Sequence, residues 1–205
     1  MTSEMTKRVV DALGCKEALV HQRTVIICLL SFTGFLRISE LIAIQIKHLN
    51  FKTGHLEITI PKAKTDQMRE GHIVYIKRVD PPYCPAHWLH RYLSNTNLTH
   101  SKENFVISRL VKTKTGHNAH GSKPLADSTV RDIFHKEVAP ICNGLEEGAY
   151  SLHSFRSGGA SAAINNGISE RLIGKHGRWK SGFSRDRYLK DSKRKRLEVS
   201  ESLGL

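Results

Sequence analysis

The stretch that decides the fold is residues 153–188, HSFRSGGASAAINNGISERLIGKHGRWKSGFSRDRY. It begins with His153 and Arg156, three residues apart, and continues into a run rich in glycine and alanine. Trp179 and Tyr188 follow, nine residues apart. Small residues allow another backbone to approach closely, so this run predicts a tightly packed helix that holds Arg156 in place.

These four residue types share a chemistry. A tyrosine phenol can form a covalent intermediate, and the planar fork of an arginine matches phosphate oxygens. Histidine transfers protons near neutral pH, and a tryptophan indole N–H only donates hydrogen bonds. The ordered set therefore indicates a site that can act on a phosphodiester.

A matching half-site lies upstream, in Thr33–Leu41, TGFLRISEL. Gly34 supplies a turn, after which an apolar helix begins at Arg37 and carries Glu40 three residues later. A strand–turn–strand pattern stands between the two halves, with alternating residues over 55–60 and 72–76. Three basic residues lie in the turn that joins these strands: Lys62, Lys64 and Arg69.

The ordered set of an arginine, a hairpin lysine, His-x-x-Arg, a late tryptophan and a tyrosine resembles the catalytic domain of the tyrosine recombinases, the phage-integrase family. The resemblance extends from the helix before Arg37 to the end of the chain. It implies an α+β, mostly helical fold with a small antiparallel β-hairpin or sheet on one side. Residues 1–205 are expected to form one catalytic domain, without the N-terminal helical domain that family members usually carry.

The resemblance implies a two-step phosphoryl transfer that uses neither a metal nor another cofactor. The catalytic residues that it implies are Arg37, Lys64, His153, Arg156, Trp179 and Tyr188. Glu40 corresponds to an acidic residue that orients the first arginine in the family. The general acid is left open between Lys64, which matches the motif better, and Lys62.

For two of these catalytic positions, the sequence offers an alternative residue. His176 lies twelve residues before Tyr188, whereas the family pattern favours the nine-residue spacing of Trp179, so we interpret His176 as a helix-end residue with local contacts. Tyr92 falls on the apolar face of a predicted helix, and Tyr150 precedes the site, so Tyr188 is the better candidate nucleophile.

The net charge of +13, from 32 basic and 19 acidic residues, predicts a polyanionic partner, and nucleic acid is the first candidate. We expect double-stranded DNA, bound by a homo-oligomer, and neither a membrane nor a small-molecule substrate. The basic residues proposed to contact DNA flank the motifs, namely Lys62, Arg69, Arg178, Lys180, Arg185 and Arg187.

The four cysteines form no CxxC pair, which favours a reducing compartment. Cys84, His87 and His90 recur at three-residue spacing, but without a fourth ligand nearby they are read as helix capping and packing, and no metal site is predicted. The polar N-terminus and the lack of an apolar run of about 20 residues predict an intracellular protein. The motif segments are similar to integrase-like sequences of eukaryotic mobile elements, which implies a nuclear location, and the basic run 193–196 is compatible with a localisation signal.

Further elements are expected around the motifs. The apolar run 25–30 predicts a buried helix that ends near Gly34, and residues 39–46 predict a second one. The polar, basic stretch 111–123 predicts a loop. The remaining expected helices lie at residues 86–93, 128–138, 156–165, 169–174, around Tyr188, and at 193–203.

Three functions are compatible with this pattern. The first is a recombinase or integrase catalytic domain that cleaves and rejoins DNA. The second is a domesticated DNA-binding module that has kept the fold and lost the chemistry, and the third is a type IB topoisomerase. Because all the catalytic positions are filled, the sequence favours the enzyme.

Overall fold

The computed structural model describes residues 1–61, 72–114, 116–142 and 150–203. The longer helices are α1 (Ser3–Gly14), α2 (Leu19–Thr33), α4 (Pro85–Thr96), α7 (Leu152–Asn165), α8 (Glu170–Gly177) and α10 (Lys193–Glu201). The shorter helices are α3 (Ile38–Ile42), α5 (Asp127–Ile133), α6 (Ala139–Cys142) and α9 (Gly182–Asp186). A π-helical turn, Phe134–Val138, joins α5 to α6, and 3₁₀ turns lie at Ile46–His48 and Leu98–His100.

The strands form two antiparallel sheets. The first sheet has the order β1 (Leu49–Phe51), β2 (His55–Ile60) and β3 (His72–Lys77), with Ile58 opposite Val74. The second pairs β4 (Ser108–Thr113) with β5 (Gly116–Pro124). The mostly helical α+β fold with a small antiparallel sheet is therefore confirmed. The predicted turn between β2 and β3 lies outside the described residues.

Helix α2 is the centre of the main core. Val25–Leu30 is at most 3% exposed, because the sequence there offers apolar side chains on every face of the helix. Helices α1, α4 and α7 pack around α2, and the inner face of the first sheet adds Leu56, Ile58 and Val74. The prediction of a buried helix that ends at Thr33 is confirmed.

Helix α3 is shorter than the sequence indicated. It ends at Ile42, and the chain then turns so that the Ile44 carbonyl accepts a hydrogen bond from the Val106 N–H at 2.9 Å. The Ile46 N–H donates to the Asn104 carbonyl at 2.9 Å. Long-range backbone pairing thus replaces the continuation of the helix, and no local sequence signal reports it.

The prediction of a loop over residues 111–123 is wrong, because most of this stretch belongs to the β4–β5 hairpin. Its base is fixed to the body of the protein by the Arg23 guanidinium, which donates to the Ser108 carbonyl at 2.9 Å, and by the Phe105 N–H, which donates to the Gly121 carbonyl at 2.8 Å. Polar side chains occur on both faces of the hairpin, so the sequence lacks the alternation that marks a half-buried strand.

A second, smaller cluster lies beside the main core and carries the sequence motifs. Its buried members are Phe35, Ala160 and Ile173, with Trp179 and Leu189 packed against them. Gly167, with a φ of 82°, turns the chain between α7 and α8, and glycine suits this left-handed backbone conformation. Within the part of the chain that the structure describes, no helix is both long enough and apolar enough to cross a bilayer.

Candidate active site

Arg37 lies at the junction between α2 and α3. Gly34 closes α2 with an ordinary φ of −93°, and the left-handed residue is Phe35, with a φ of 47°. A side chain at Gly34 would meet the Leu30 carbonyl oxygen at 2.9 Å, so glycine is needed there for close approach. Arg37 then caps α3, and its backbone N–H donates to Glu40 Oε2 at 2.8 Å.

Glu40 is the centre of a buried ion cluster. Its carboxylate is 2% exposed and accepts Arg37 Nη1 on Oε1 at 2.7 Å and Arg178 Nη2 on Oε2 at 2.8 Å. Arg156 Nη1 lies 3.8 Å from Oε2. Burial raises the pKa of the Glu40 carboxyl, but the arginines, Arg178 first, outweigh burial and lower it overall. Three guanidinium groups around one carboxylate leave excess positive charge, which suits an anionic substrate.

Arg178 occupies a different environment from the one expected of a DNA contact. It ends α8 in the left-handed region, with a φ of 58°, and its side chain is 1% exposed. Besides Glu40, its guanidinium donates to the Phe35 carbonyl at 2.8 Å and to the His176 carbonyl at 2.7 Å. Arg178 is therefore buried, and it connects the end of α8 to the start of α3 instead of lying on the surface.

Arg156 is enclosed. Its side chain is 0% exposed, and its guanidinium donates to the backbone carbonyls of Phe35 and Gly177. The Trp179 ring covers the guanidinium at 4.3 Å, and the Tyr188 ring centroid is 5.5 Å away. Burial, followed by repulsion from Arg37, lowers the pKa of Arg156 to about 9. Arg156 thus contacts two of the candidate site residues but lies behind their aromatic rings.

Two glycines allow this packing. A Cβ at Gly177 would stand 1.9 Å from the Trp179 ring, and a Cβ at Gly159 would stand 2.1 Å from the Phe32 carbonyl oxygen. Neither distance is possible for a side chain, so glycine at both positions lets the tryptophan ring and the end of α2 approach the helices.

Three aromatic rings meet at the mouth of the site. The Tyr188 ring centroid is 4.9 Å from that of His153 and 5.1 Å from that of Trp179. The buried Trp179 Nε1 has no hydrogen-bond partner in the described part of the chain. An unpaired buried donor is costly, and this indole N–H keeps a hydrogen-bonding capacity that the described part of the chain does not use.

A cleft of about 470 Å³ opens in front of these rings. The residues that line it are Arg37, His153, Arg178, Trp179, Lys180, Ser184, Arg187 and Tyr188. Four of them are cationic, and the described lining includes no carboxylate. Burial, then Arg156 and Arg37, lower the pKa of His153, which leaves this imidazole neutral and able to accept a proton at neutral pH.

The competing residues are placed as follows. Tyr92 is buried on α4, where burial raises its pKa to about 12, and it is not among the residues that line the cleft. His176 Nε2 lies 2.8 Å from the Thr33 carbonyl oxygen, and its ring packs edge-on against Phe35 at 4.6 Å. The interpretation that His176 makes local contacts is therefore wrong, because it joins α8 to the end of α2.

The remaining predicted residues differ in their surroundings. Lys62, Lys64 and Arg69 lie outside the described residues. Lys180 and Arg187 are exposed and line the cleft. Arg185 is instead 13% exposed at its side chain and pairs with Glu170 and Asp186, so it is engaged within the protein. Tyr188 lies in the turn after α9, which ends at Asp186, and not within the short helix that the sequence predicted.

Sequence reasoning missed two features of the site. The Glu40–Arg178 pair spans 138 residues of chain, so no local spacing announces it. The polar side chains of α7 that contact the segment around Tyr188 were also missed. The four-residue spacing of these side chains is visible in the sequence, but the segment that they contact is not.

Several known proteins that this chain resembles are integrases or recombinases. The chain is 27% identical over 161 residues to an integrase/recombinase XerD homologue of Selenomonas ruminantium, covering 78% of this chain and 45% of that protein. The structure of the XerH site-specific recombinase bound to a palindromic difH substrate is similar with a TM-score of 0.68 and 18% identity, covering 99% of this chain and 52% of that one. A lambda integrase dimer bound to a COC′ core site is similar with a TM-score of 0.59 and 16% identity, covering 95% and 48%.

The chain thus spans about half the length of these relatives. The structural likenesses support the fold of a recombinase catalytic domain. The model of the phage integrase family matches residues 1–195, nearly the whole chain. The chain belongs to the phage integrase family.

Proposed function

We propose that this chain cleaves and rejoins DNA strands through a 3′-phosphotyrosine intermediate, in site-specific recombination or integration. The observation that carries the proposal is the cleft in which Arg37, His153, Trp179 and Tyr188 converge in front of a buried excess of positive charge. Membership of the phage integrase family supports the same chemistry.

In the first step, Tyr188 Oη attacks the phosphorus of a backbone phosphodiester, and the bond from phosphorus to the 5′ oxygen breaks. The strand is left joined to Tyr188 through its 3′ phosphate. His153, whose ring lies 4.9 Å from that of Tyr188, assists the transfer of the phenolic proton. The departing 5′ oxygen takes a proton from Lys64 or Lys62, and a 5′-hydroxyl then reverses the step. One phosphoester bond replaces another each time, so no ATP is required.

The cations stabilise the negative charge that develops on the non-bridging oxygens. Arg37 lines the cleft, and the unpaired Trp179 N–H is a further donor. Arg156 lies behind the Trp179 and Tyr188 rings. Direct contact between Arg156 and a phosphate therefore requires those rings to move when DNA binds, whereas Arg37 is accessible as it stands.

The experiment that tests the nucleophile uses a nicked suicide duplex, from which the cleaved end diffuses away. The protein should form an adduct that resists SDS, and Tyr188→Phe should abolish the adduct while folding and DNA binding survive. Tyr75→Phe, which removes a hydroxyl from a 55% exposed tyrosine on β3, is the matched control and should retain activity. An adduct formed by Tyr188→Phe would show that another residue is the nucleophile. DNA binding by the parent protein without any adduct would favour the inactive DNA-binding module.

A second substrate separates the roles of the cations. A 5′-bridging phosphorothioate leaves as a thiolate that needs no proton, so it should rescue Lys64→Ala but neither Arg37→Ala nor Arg156→Ala. Replacement of either arginine with lysine should also lower activity strongly, because a point charge cannot reproduce the bidentate fork. Rescue of Lys62→Ala instead would assign the general acid to Lys62, and equal rescue of all variants would refute the assigned roles.

The proposed partner is double-stranded DNA, bound by a homo-oligomer. The +13 charge and the basic cleft support the first part, and relatives described as bound to difH or as a dimer on a core site support both parts. The logarithm of affinity should fall linearly with the logarithm of salt, with a slope of about −0.9 per phosphate contacted. Joined products from two duplexes would favour recombination, whereas supercoil relaxation alone would favour a topoisomerase.

The proposal extends to an origin in a mobile element and a nuclear location. The resemblance of the motifs to eukaryotic mobile-element integrases and the basic start of α10, Lys193–Arg196, support it. A fluorescent fusion should lose nuclear accumulation when these four residues are replaced with glutamine. Unchanged accumulation would refute the assignment of this run.

A further inference from the structure

One face of α7 carries three polar side chains at four-residue spacing, Ser157, Ser161 and Asn165. Residues four apart on a helix lie one above the other, so the three form a row, which we call the α7 ladder. All three contact the backbone of residues 188–192. The Ser157 and Ser161 hydroxyls donate to the Tyr188 carbonyl at 2.7 and 3.1 Å.

The ladder continues along the chain beyond the tyrosine. Ser161 Oγ also accepts the Lys190 N–H at 2.9 Å. The Asn165 side chain donates to the Lys190 carbonyl at 2.9 Å and accepts the Ser192 N–H at 2.8 Å. Together, the three side chains therefore bond alternate residues of the segment, at positions 188, 190 and 192.

This register is compatible with the repeat of a helix beside that of an extended segment. Four residues of α-helix rise about 6.0 Å, and two residues of extended chain advance about 6.6 Å. A row of side chains four apart on a helix therefore matches alternate residues of a strand laid beside it. Slippage of the segment by one residue would point its backbone donors and acceptors away from the rungs.

The same helix carries two residues of the candidate active site. His153 is one turn before Ser157 in the same row, and its ring lies 4.9 Å from that of Tyr188. Arg156 is on the adjoining position and lies 5.5 Å from that ring. One rigid helix thus sets the distance from the tyrosine to both residues.

Apolar burial attaches this part of the chain only weakly. No described residue of α9 or α10 is buried, and Leu189 is a partly buried member of the small cluster around Phe35. The ladder therefore supplies most of the directional contacts that hold residues 188–192 to the body of the protein.

We propose that Ser157, Ser161 and Asn165 are positioning residues that set Tyr188 against His153 and Arg156 of the same chain. This inference rests on the proposed function, since it concerns the placement of the nucleophile. It assigns the three residues to the rate of the chemical step and not to the binding of DNA.

The test is single-turnover adduct formation on the nicked duplex at saturating protein. Ser161→Ala, which removes both a donor and an acceptor, should slow the reaction by roughly tenfold, the size expected for one or two lost hydrogen bonds. The dissociation constant for DNA should not change. Ser161→Thr keeps the hydroxyl and should restore most of the rate. Asn166→Ala is the matched control, because the Asn166 amide donates to the Ala162 carbonyl of the adjoining α7 and, among the described residues, makes no hydrogen bond to residues 188–192.

A second measurement needs no catalysis. The amide protons of Lys190 and Ser192 should be protected from exchange in the parent protein. Ser161→Ala should lower the protection of Lys190, and Asn165→Ala that of Ser192. Unprotected amides in the parent would overturn the ladder. If a variant loses amide protection but forms the adduct at an unchanged rate, the positioning role of the ladder is overturned. The same holds if weaker DNA binding accounts for the whole loss of adduct formation. If the parent forms no adduct although its amides are protected, the proposed function fails and the ladder stands only as an anchor for the segment.

Discussion

The main core and the segment that carries the tyrosine are held in different ways. Around α2, the side chains of Val25–Leu30 are at most 3% exposed and pack against three helices and a sheet. In the segment from α9 to α10, no described residue is buried, and the contacts are hydrogen bonds to α7, a few ion pairs, the ring contacts of Tyr188 and the partly buried Leu189. Apolar burial stabilises in proportion to area, so the first region is a scaffold and the second is a part that can open locally.

A buried ion cluster connects the scaffold to the helix that precedes the tyrosine segment. Glu40 lies on α3, directly after α2, and Arg178 ends α8, before α9 begins at Gly182. Their ion pair is almost completely removed from water. Such a pair contributes more to specific geometry than to net stability, but removing one partner leaves an uncompensated charge. The comparison shows that the site is held by a buried cluster of charges together with the small apolar cluster around Phe35, and not by the main core alone.

The largest effect is expected from breaking that buried cluster of charges. Glu40→Ala should lower the free energy of unfolding by about 3–5 kcal/mol, because Arg178 and its neighbours would then be buried without a counter-charge. Urea denaturation measures the change. Glu198→Ala, which removes a partly exposed partner of Lys195, is the control and should cost far less, because ion pairs at the surface contribute little to stability. Similar losses in both variants would show that the buried cluster contributes no more than a surface ion pair.

A medium effect is expected from overpacking the contact between α7 and the end of α2, on which the placement of the α7 site residues depends. A Cβ at Gly159 would collide with the Phe32 carbonyl, so Gly159→Ala should cost about 1–3 kcal/mol. Gly54→Ala is the control, because a Cβ there meets no atom within 4 Å. We expect it to change the unfolding free energy by less than about 0.5 kcal/mol. Thermal unfolding of both variants is the measurement, and equal midpoints would contradict this account of the interface.

The smallest effect concerns pH. Burial is the main cause that lowers the pKa of both His176 and His153. Below the ordinary histidine pKa of about 6.5, the unfolded chain therefore takes up protons that the folded protein does not bind. The free energy of unfolding should consequently fall as the pH drops below that value. His176→Gln, which removes this titration, should flatten the profile between about pH 7 and 5. His72→Gln replaces an exposed histidine on β3 as a control. A wild-type profile that is flat in this range would refute the prediction.

Much of the scaffold was predictable because its signals are local. The continuous apolar run of α2, the alternation of β2 and β3, and the turn at Gly167 each depend on a few neighbouring residues. The β4–β5 hairpin was not predictable, because its backbone pairing leaves polar side chains on both faces. The early end of α3 was also hidden, since it depends on pairing with the backbone of residues 104–106.

For the site, the sequence by itself determined which residue types are present and in what order, and this was sufficient to assign the family. Only the tertiary structure decided their surroundings. It enclosed Arg156 behind Trp179 and Tyr188, and it turned Arg178 inward to Glu40, a residue 138 positions away. The physical reason is that motif spacing records chain neighbours, whereas burial, ion pairing and the register of one helix against a distant segment are set by how the whole chain packs.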